Sequence, residues 1–285
     1  MSTLTSSFTS PVMDLYRYIL SKRDPRTMGW SLSGDPKFMF PVIFAYLYIV
    51  KIGGPRWMMN RKPFQNLKPV IMAYNFAMVV TNSIFFVLYL RHSYLGGGYN
   101  LFCQGVTYSR DDNTMALLNL TWWYIFVRIA DFFDTIFFLL RKKFSHITVL
   151  HVVHHTLVVF SGWLWITFGC DGQVLLGICF NSFIHIIMYS YYFLAALGPS
   201  VQKYLWWKKY LTRLQILQFI ILTIHVSIPM FYDCGYPMIL TMLATAQGML
   251  GLVLFINFYI NAYYRKSTQT NFCTLQEDVI DRKDK

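Results

Sequence analysis

Seven mostly apolar stretches, each near the roughly 20 residues a helix needs to cross about 30 Å of hydrocarbon, dominate the sequence. They lie at about 38–53, 69–90, 116–140, 147–168, 172–197, 210–231 and 236–262. The first is the weakest, being short and broken by Pro41. The third, fourth and fifth are separated only by the turns at 141–144 and 169–172, which makes them antiparallel neighbours. Composition agrees: only 13% of residues are charged, against about 25% in a soluble domain, and 55% are hydrophobic. The expected fold is an all-α membrane protein of about seven transmembrane helices.

The formal charge of +12 raises nucleic acid as a partner, but no basic helix interleaved with polar groups and no zinc or RNA-binding signature accompanies it. An anionic substrate or anionic lipid fits better. Cytosolic loops are enriched in Lys and Arg. With the N-terminus outside, the inner loops hold 17 of the 25 cations and the outer segments seven, with Arg128 inside a span. The expected division is an outer N-terminal segment over 1–37, one seven-helix domain over 38–263 and an inner tail over 264–285. Residues 1–37 lack an apolar core with a small-residue cleavage site, so the first span is expected to insert by itself. Cys103, Cys170 and Cys234 fall in or beside outer loops, where disulfides persist, and Cys103–Cys234 is the favoured pair. The alternative is that all three are ordinary small apolar residues. The tail carries Arg282 and Lys283 in a dibasic arrangement close to that of endoplasmic reticulum membrane proteins.

Ionisable groups inside a span cost roughly 2.5–3.5 kcal/mol each on insertion scales, so they are functional candidates by default. Arg128, Asp131 and Thr135 share a face of the third span, with Asp134 one turn from Asp131. An internal Arg128–Asp131 ion pair that merely holds helices together is the plainer reading. His151, His154 and His155 open the fourth span at i, i+3 and i+4; the fifth carries Asn181, His185, Tyr189 and Tyr192 on one face. Thr212, Gln215 and Gln218 repeat the pattern in the sixth. Four consecutive helices thus aim polar faces at one depth in the inner half of the membrane.

Such histidines serve metal ligation or proton and acyl transfer. The HxxHH spacing is similar to one box of membrane di-iron desaturases and hydroxylases, which resemble one another in having three boxes and about eight histidine ligands. This chain has seven His in all, with His92 and His225 toward the outer side and His146 outside any box. No metal ligands are assigned. A metal-dependent lipid oxidoreductase is the alternative function. A seven-helix receptor or transporter leaves the HxxHH face unexplained, and internal repeats are absent.

The segments Arg128-Ile-Ala-Asp131-Phe-Phe-Asp134-Thr135, His151-Val-Val-His154-His155, Asn181 to Tyr192 and Thr212 to Phe219 resemble, in order, the four signatures of the very-long-chain fatty acid elongase family, in its animal branch. Arg128 and Asp131 stand where the family usually has Lys and Glu, and both changes keep the charge. The resemblance implies the condensing step of microsomal elongation: a long acyl-CoA plus malonyl-CoA gives a 3-ketoacyl-CoA, carbon dioxide and CoA. It implies malonyl-CoA as co-substrate, no resident cofactor, and a ketoacyl reductase, a dehydratase and an enoyl reductase as partners, with a second copy of the chain a further candidate partner. It also points to the endoplasmic reticulum membrane, N-terminus lumenal.

The residues suit that reaction. The last six helices are expected to enclose an acyl tunnel. Lys142, Lys143, Lys208, Lys209, Arg213, Arg265 and Lys266 would surround the anionic CoA at the cytosolic mouth, although the positive-inside rule alone also places cations there. His154 is the expected nucleophile toward the thioester, and a direct ternary-complex reaction with His154 only as base is the alternative. His185 would stabilise the oxyanion or enolate, with Asn181 and Gln215 as neutral donors. His151, His155, Asp131 and Asp134 would orient or tune them, and Tyr189, Tyr192 and Gln218 face the substrate.

Overall fold

The computed structural model describes residues 11–265, which are helical with no strand among them. The helices are α1 (Pro11–Ser21), α2 (Pro36–Tyr48), α3 (Gly54–Met58), α4 (Lys68–Leu90), α5 (Asp112–Ala130) and α6 (Phe132–Leu140). They are followed by α7 (Val149–Phe168), α8 (Leu175–Leu197), α9 (Pro199–Gln202), α10 (Lys208–Ser227) and α11 (Met238–Tyr259). Six stretches are long and apolar enough to cross a membrane: Pro36–Met58, Lys68–Leu95, Val149–Phe168, Leu175–Leu197, Lys208–Met230 and Met238–Tyr264. The chain is a multi-pass membrane protein.

Two expected spans differ in detail. Pro41 does not break the first, because α2 runs through it and joins α3 by a π-helical turn, Ile49–Gly53. Pro41 sits in the second turn, where its missing N–H forfeits one backbone bond, to the Lys37 carbonyl, without ending the helix. The wider turn falls where Pro55 cannot donate to the preceding turn. The third expected span is two helices, α5 and α6, interrupted at Asp131. The backbone N–H of Asp134 bonds Asp131 rather than Ala130. The Ala130 carbonyl freed by this tightened turn accepts from the Tyr74 hydroxyl at 3.1 Å.

Helix α4 packs on α8, α8 on α10, α10 on α11, α11 on α7, α7 on α5 and α5 back on α4, closing a ring of six. The first span lies outside the ring, against α7 and α6. Gly248 and Gly251 let α11 approach α10, since a Cβ at either would strike Thr223 or the Phe219 ring. Small residues at such seams are the usual currency of packing in lipid, where no hydrophobic drive separates helix from solvent.

The ring is capped at one end by an ordered N-terminal segment. Arg26 is fully buried between Asp24, at 2.6 Å, and Asp171 in the α7–α8 turn, at 2.8 Å. Asp171 also accepts from the Thr107 hydroxyl at 2.6 Å and the Tyr99 hydroxyl at 3.1 Å. Burial opposes ionisation of Asp171, but the bonds from Arg26 and Thr107 outweigh it and hold its pKa below the usual carboxylate value. Cys103 and Cys234 form a disulfide at this end, and Cys170 is a buried free thiol.

Candidate active site

Arg128, near the end of α5, is the hub of the buried polar layer, with only 2% of its surface exposed. Its guanidinium pairs with Asp131 at 3.1 Å and donates to Asn181 Oδ1 at 3.0 Å and Asn82 Oδ1 at 2.7 Å. It also meets His185 Nδ1 at 2.8 Å and lies over the Tyr124 ring. The Arg128–Asp131 ion pair exists, but the same cation reaches across to α4 and α8. A guanidinium has no lone pair to offer. By that hydrogen-bond logic His185 Nδ1 is the acceptor and its proton sits on Nε2.

Asp131 and Asp134 share one phenol. Tyr189 Oη lies 2.8 Å from Asp131 and 2.6 Å from Asp134, with Tyr74 Oη 3.3 Å away. A phenol has a single proton and can donate to one carboxylate at a time. Both carboxyls therefore depend on this one hydroxyl, and Arg128 pairs with Asp131.

The histidines of α7 are placed by its cap. Thr148 accepts from the backbone N–H of His151 at 3.2 Å, so the helix begins with the three histidines on its first two turns. His151 Nε2 bonds Thr135 Oγ1 at 2.8 Å, and Thr135 is bonded in turn by Tyr46 Oη at 2.9 Å. Tyr46 stacks on Phe132 with centroids 3.8 Å apart. The His155 ring lies 4.3 Å from that of His151 and 5.6 Å from that of His154. His154 is set edge-on against Phe219 and Phe255.

His154, Arg128, Asn181 and Gln218 line a cavity of about 200 Å³ whose remaining wall is mostly aliphatic. Five helices of the ring supply the lining: α5, α7, α8, α10 and α11. Helix α4 stays outside the wall and reaches the site through Asn82. His185 sits just behind the lining, held between Arg128 and Asp131.

Other expected residues stand further off. Gln215 is turned to Met188 Sδ at 3.7 Å and is not part of the cavity wall; it lies nearly one turn before Gln218 along α10. Thr212 meets Tyr263 Oη at 3.3 Å, and the Tyr192 ring packs on Tyr189 and Tyr191. At the histidine end of the ring, Lys142 donates to the Met59 carbonyl, and Arg213 bonds Tyr259 Oη at 2.5 Å while facing the Tyr210 ring. Lys208 and Lys209 open α10. Partial burial, with Arg141 and Lys208 nearby, lowers the pKa of Lys143. These loops therefore gather cations on one face. The backbone of Arg265 closes the last π-helical turn, whereas Lys266, Arg282 and Lys283 lie outside the described residues. No three His, Cys, Asp or Glu side chains converge as metal ligands among the described residues.

The sequence reading missed Asn82, Tyr74 and Tyr46. Each is a polar group within an apolar span, which is itself the signal. No helical spacing linked them to the histidines, because their partners are on other helices.

A family model described as ELO, GNS1/SUR4 family, matches residues 31–271. Very long chain fatty acid elongase 7 of Drosophila melanogaster is 41% identical over 251 residues, covering 86% of this chain and 74% of that protein. Very long chain fatty acid elongase 4 of Homo sapiens is 38% identical over 260 residues, covering 91% and 82%. The rat elongase 7 is 38% identical over 265 residues, covering 90% and 92%. With a polar layer closed around Arg128 and the histidines, and with relatives of this similarity over most of its length, the chain belongs to the ELO (GNS1/SUR4) family.

Proposed function

We propose that the protein is a very-long-chain 3-oxoacyl-CoA synthase, the condensing enzyme of fatty acid elongation, working through an acyl-imidazole on His154. The observation that carries the mechanism is the position of His154 in the wall of a largely apolar cavity that Arg128 and Asn181 also line, with His185 directly behind Arg128. The family match does not favour the metal-dependent oxidoreductase.

In the first half-reaction an imidazole nitrogen of His154 attacks the thioester carbon and CoA leaves as the thiol. The acyl tail fills the cavity while the CoA remains toward the cations of the cytosolic loops. His185 Nε2–H, with Asn181 as a neighbour, is suited to hold the developing oxyanion. Malonyl-CoA is the second substrate. Loss of carbon dioxide leaves an enolate carbon, which takes the acyl group and frees the imidazole. His151 is the positioning residue of the chain from Tyr46 through Thr135, and Asp131, Asp134 and Tyr189 hold Arg128 and so His185.

The test uses purified, detergent-solubilised protein, a panel of acyl-CoAs and labelled malonyl-CoA, without reductant. A 3-ketoacyl-CoA two carbons longer is expected. With acyl-CoA alone, free CoA and an acyl adduct on the His154 peptide are expected. His154→Ala should give neither, and full condensation by that variant would sink the mechanism. The family's acyl-CoA chemistry and the dibasic tail support the endoplasmic reticulum membrane, N-terminus lumenal. Glycosylation sites introduced before residue 11, and in the turn before Thr148, report that orientation: only the former should be modified.

A further inference from the structure

The cavity wall on α7 runs from Leu150 to Trp165. His154 and Trp165 are eleven residues apart, about 16 Å along the helix. An extended alkyl chain advances about 1.25 Å per carbon, the projection of a 1.52 Å carbon–carbon bond at a tetrahedral angle. About thirteen carbons beyond the carbonyl therefore reach Trp165. A longer acyl group runs past the last α7 residue of this wall.

A second cavity, of about 230 Å³, abuts the first on the side of α7 and α11 turned away from α5 and α8. Phe160 and Leu164 of α7 and Leu243 and Ala246 of α11 line it, and Leu243 is 43% exposed, in a span that faces lipid. Leu157, Ser161, Trp165, Gln247 and Leu250 belong to the walls of both cavities, and Ser161 and Gln247 are the polar pair among them. Between them the Ser161 hydroxyl donates to Gln247 Oε1, a polar bar across a seam otherwise built of aliphatic and aromatic side chains. Ser161 is seven residues past His154, about 10 Å, or roughly eight carbons along a bound chain.

We infer that the Ser161–Gln247 pair bars a side passage between α7 and α11, and that acyl chains beyond about fourteen carbons extend past it into the second cavity. The occupant of that cavity is the distal end of the substrate's own alkyl chain, since the space is apolar, adjoins the tunnel and opens toward lipid. Acceptance of longer chains then depends on the bar and the outer cavity, not on the depth of the tunnel floor. The proposal rests on the condensing function above.

Acyl-CoAs of graded length, from about twelve to about twenty-four carbons, test it. Ala246→Phe fills the outer cavity from a position outside the tunnel wall. It should lower kcat/KM for the longest chains by about tenfold or more. Chains below about fourteen carbons should be unaffected. Ser161→Ala should change the long-to-short ratio in the opposite direction. An unchanged length profile in both variants, or a loss equal at every length, would overturn the proposal. A long acyl-CoA with a terminal diazirine provides a second measurement on unaltered protein. Labelling at Leu243 or Ala246 is expected; labelling confined to Val174 and Ile178, which line only the tunnel, would refute the passage. Absence of condensation by the unaltered protein at every length would instead remove the function itself.

Discussion

At the scale of single residues the site is a proton-counting problem solved by neighbours. Arg128 occupies His185 Nδ1 and leaves Nε2–H as the donor, so losing His185 removes an oxyanion partner. His185→Ala is expected to lower kcat by about 10²–10³ with the thermal transition retained. An unchanged kcat in the condensation assay would reassign the oxyanion to other donors. Tyr189 is the shared partner of Asp131 and Asp134. Tyr189→Phe leaves two buried carboxyls short of a hydrogen bond and should cost about 1–3 kcal/mol of stability, read as a lower melting temperature in detergent. The chemistry-bearing types were legible in the sequence because charges and imidazoles inside apolar spans are expensive. Their pairing was not, since Arg128 bonds residues 46 and 53 positions away in the chain.

At the scale of elements, two local devices bring the histidines into register. The Thr148 cap starts α7 one turn before His151. Thr148→Ala should cost about 1 kcal/mol and fray the turn that holds His151 on Thr135. The measurable consequence is a fall in both melting temperature and condensation rate, whereas Thr148→Ser should keep both. The break between α5 and α6 at Asp131 is the second device. It frees the Ala130 carbonyl for Tyr74 and brings Tyr74 beside Tyr189. A span counted only by hydropathy reads through this interruption, because the residues on either side remain apolar. The same reading saw Pro41 as a break, although α2 continues through it with one backbone bond forfeited.

At the scale of the whole molecule, the ring of helices is fastened at the end away from the histidines. The N-terminal segment hides its Arg26 between Asp24 and Asp171. A charge compensated in this way carries no topological signal. Asp171 is held below its unfolded value of about 3.9, so its stabilising contribution is complete above that pH. The contribution is lost as pH falls through the lower, folded value. The melting temperature should therefore drop on acidification below about pH 4, and Asp171→Asn should be less stable at neutral pH with a flatter acid limb. An acid limb identical to that of the unaltered protein would place the titration elsewhere.

What the sequence determined by itself was everything governed by local pattern and solvent. The approximate number and extent of the apolar spans follow from bilayer thickness, and the expected common depth of His151, His154, His185 and the aspartates follows from helical period. Only the tertiary structure decided which of these groups touch. Helix spacing says which face a residue lies on, but not which helix stands opposite. The ring order, with α4 next to α5 and α8, brings Asn82 to Arg128, leaves Gln215 on Met188, and sets His154 in the cavity wall with His185 behind it. Those contacts depend on how six helices close on one another, a property of packing between segments far apart in the chain.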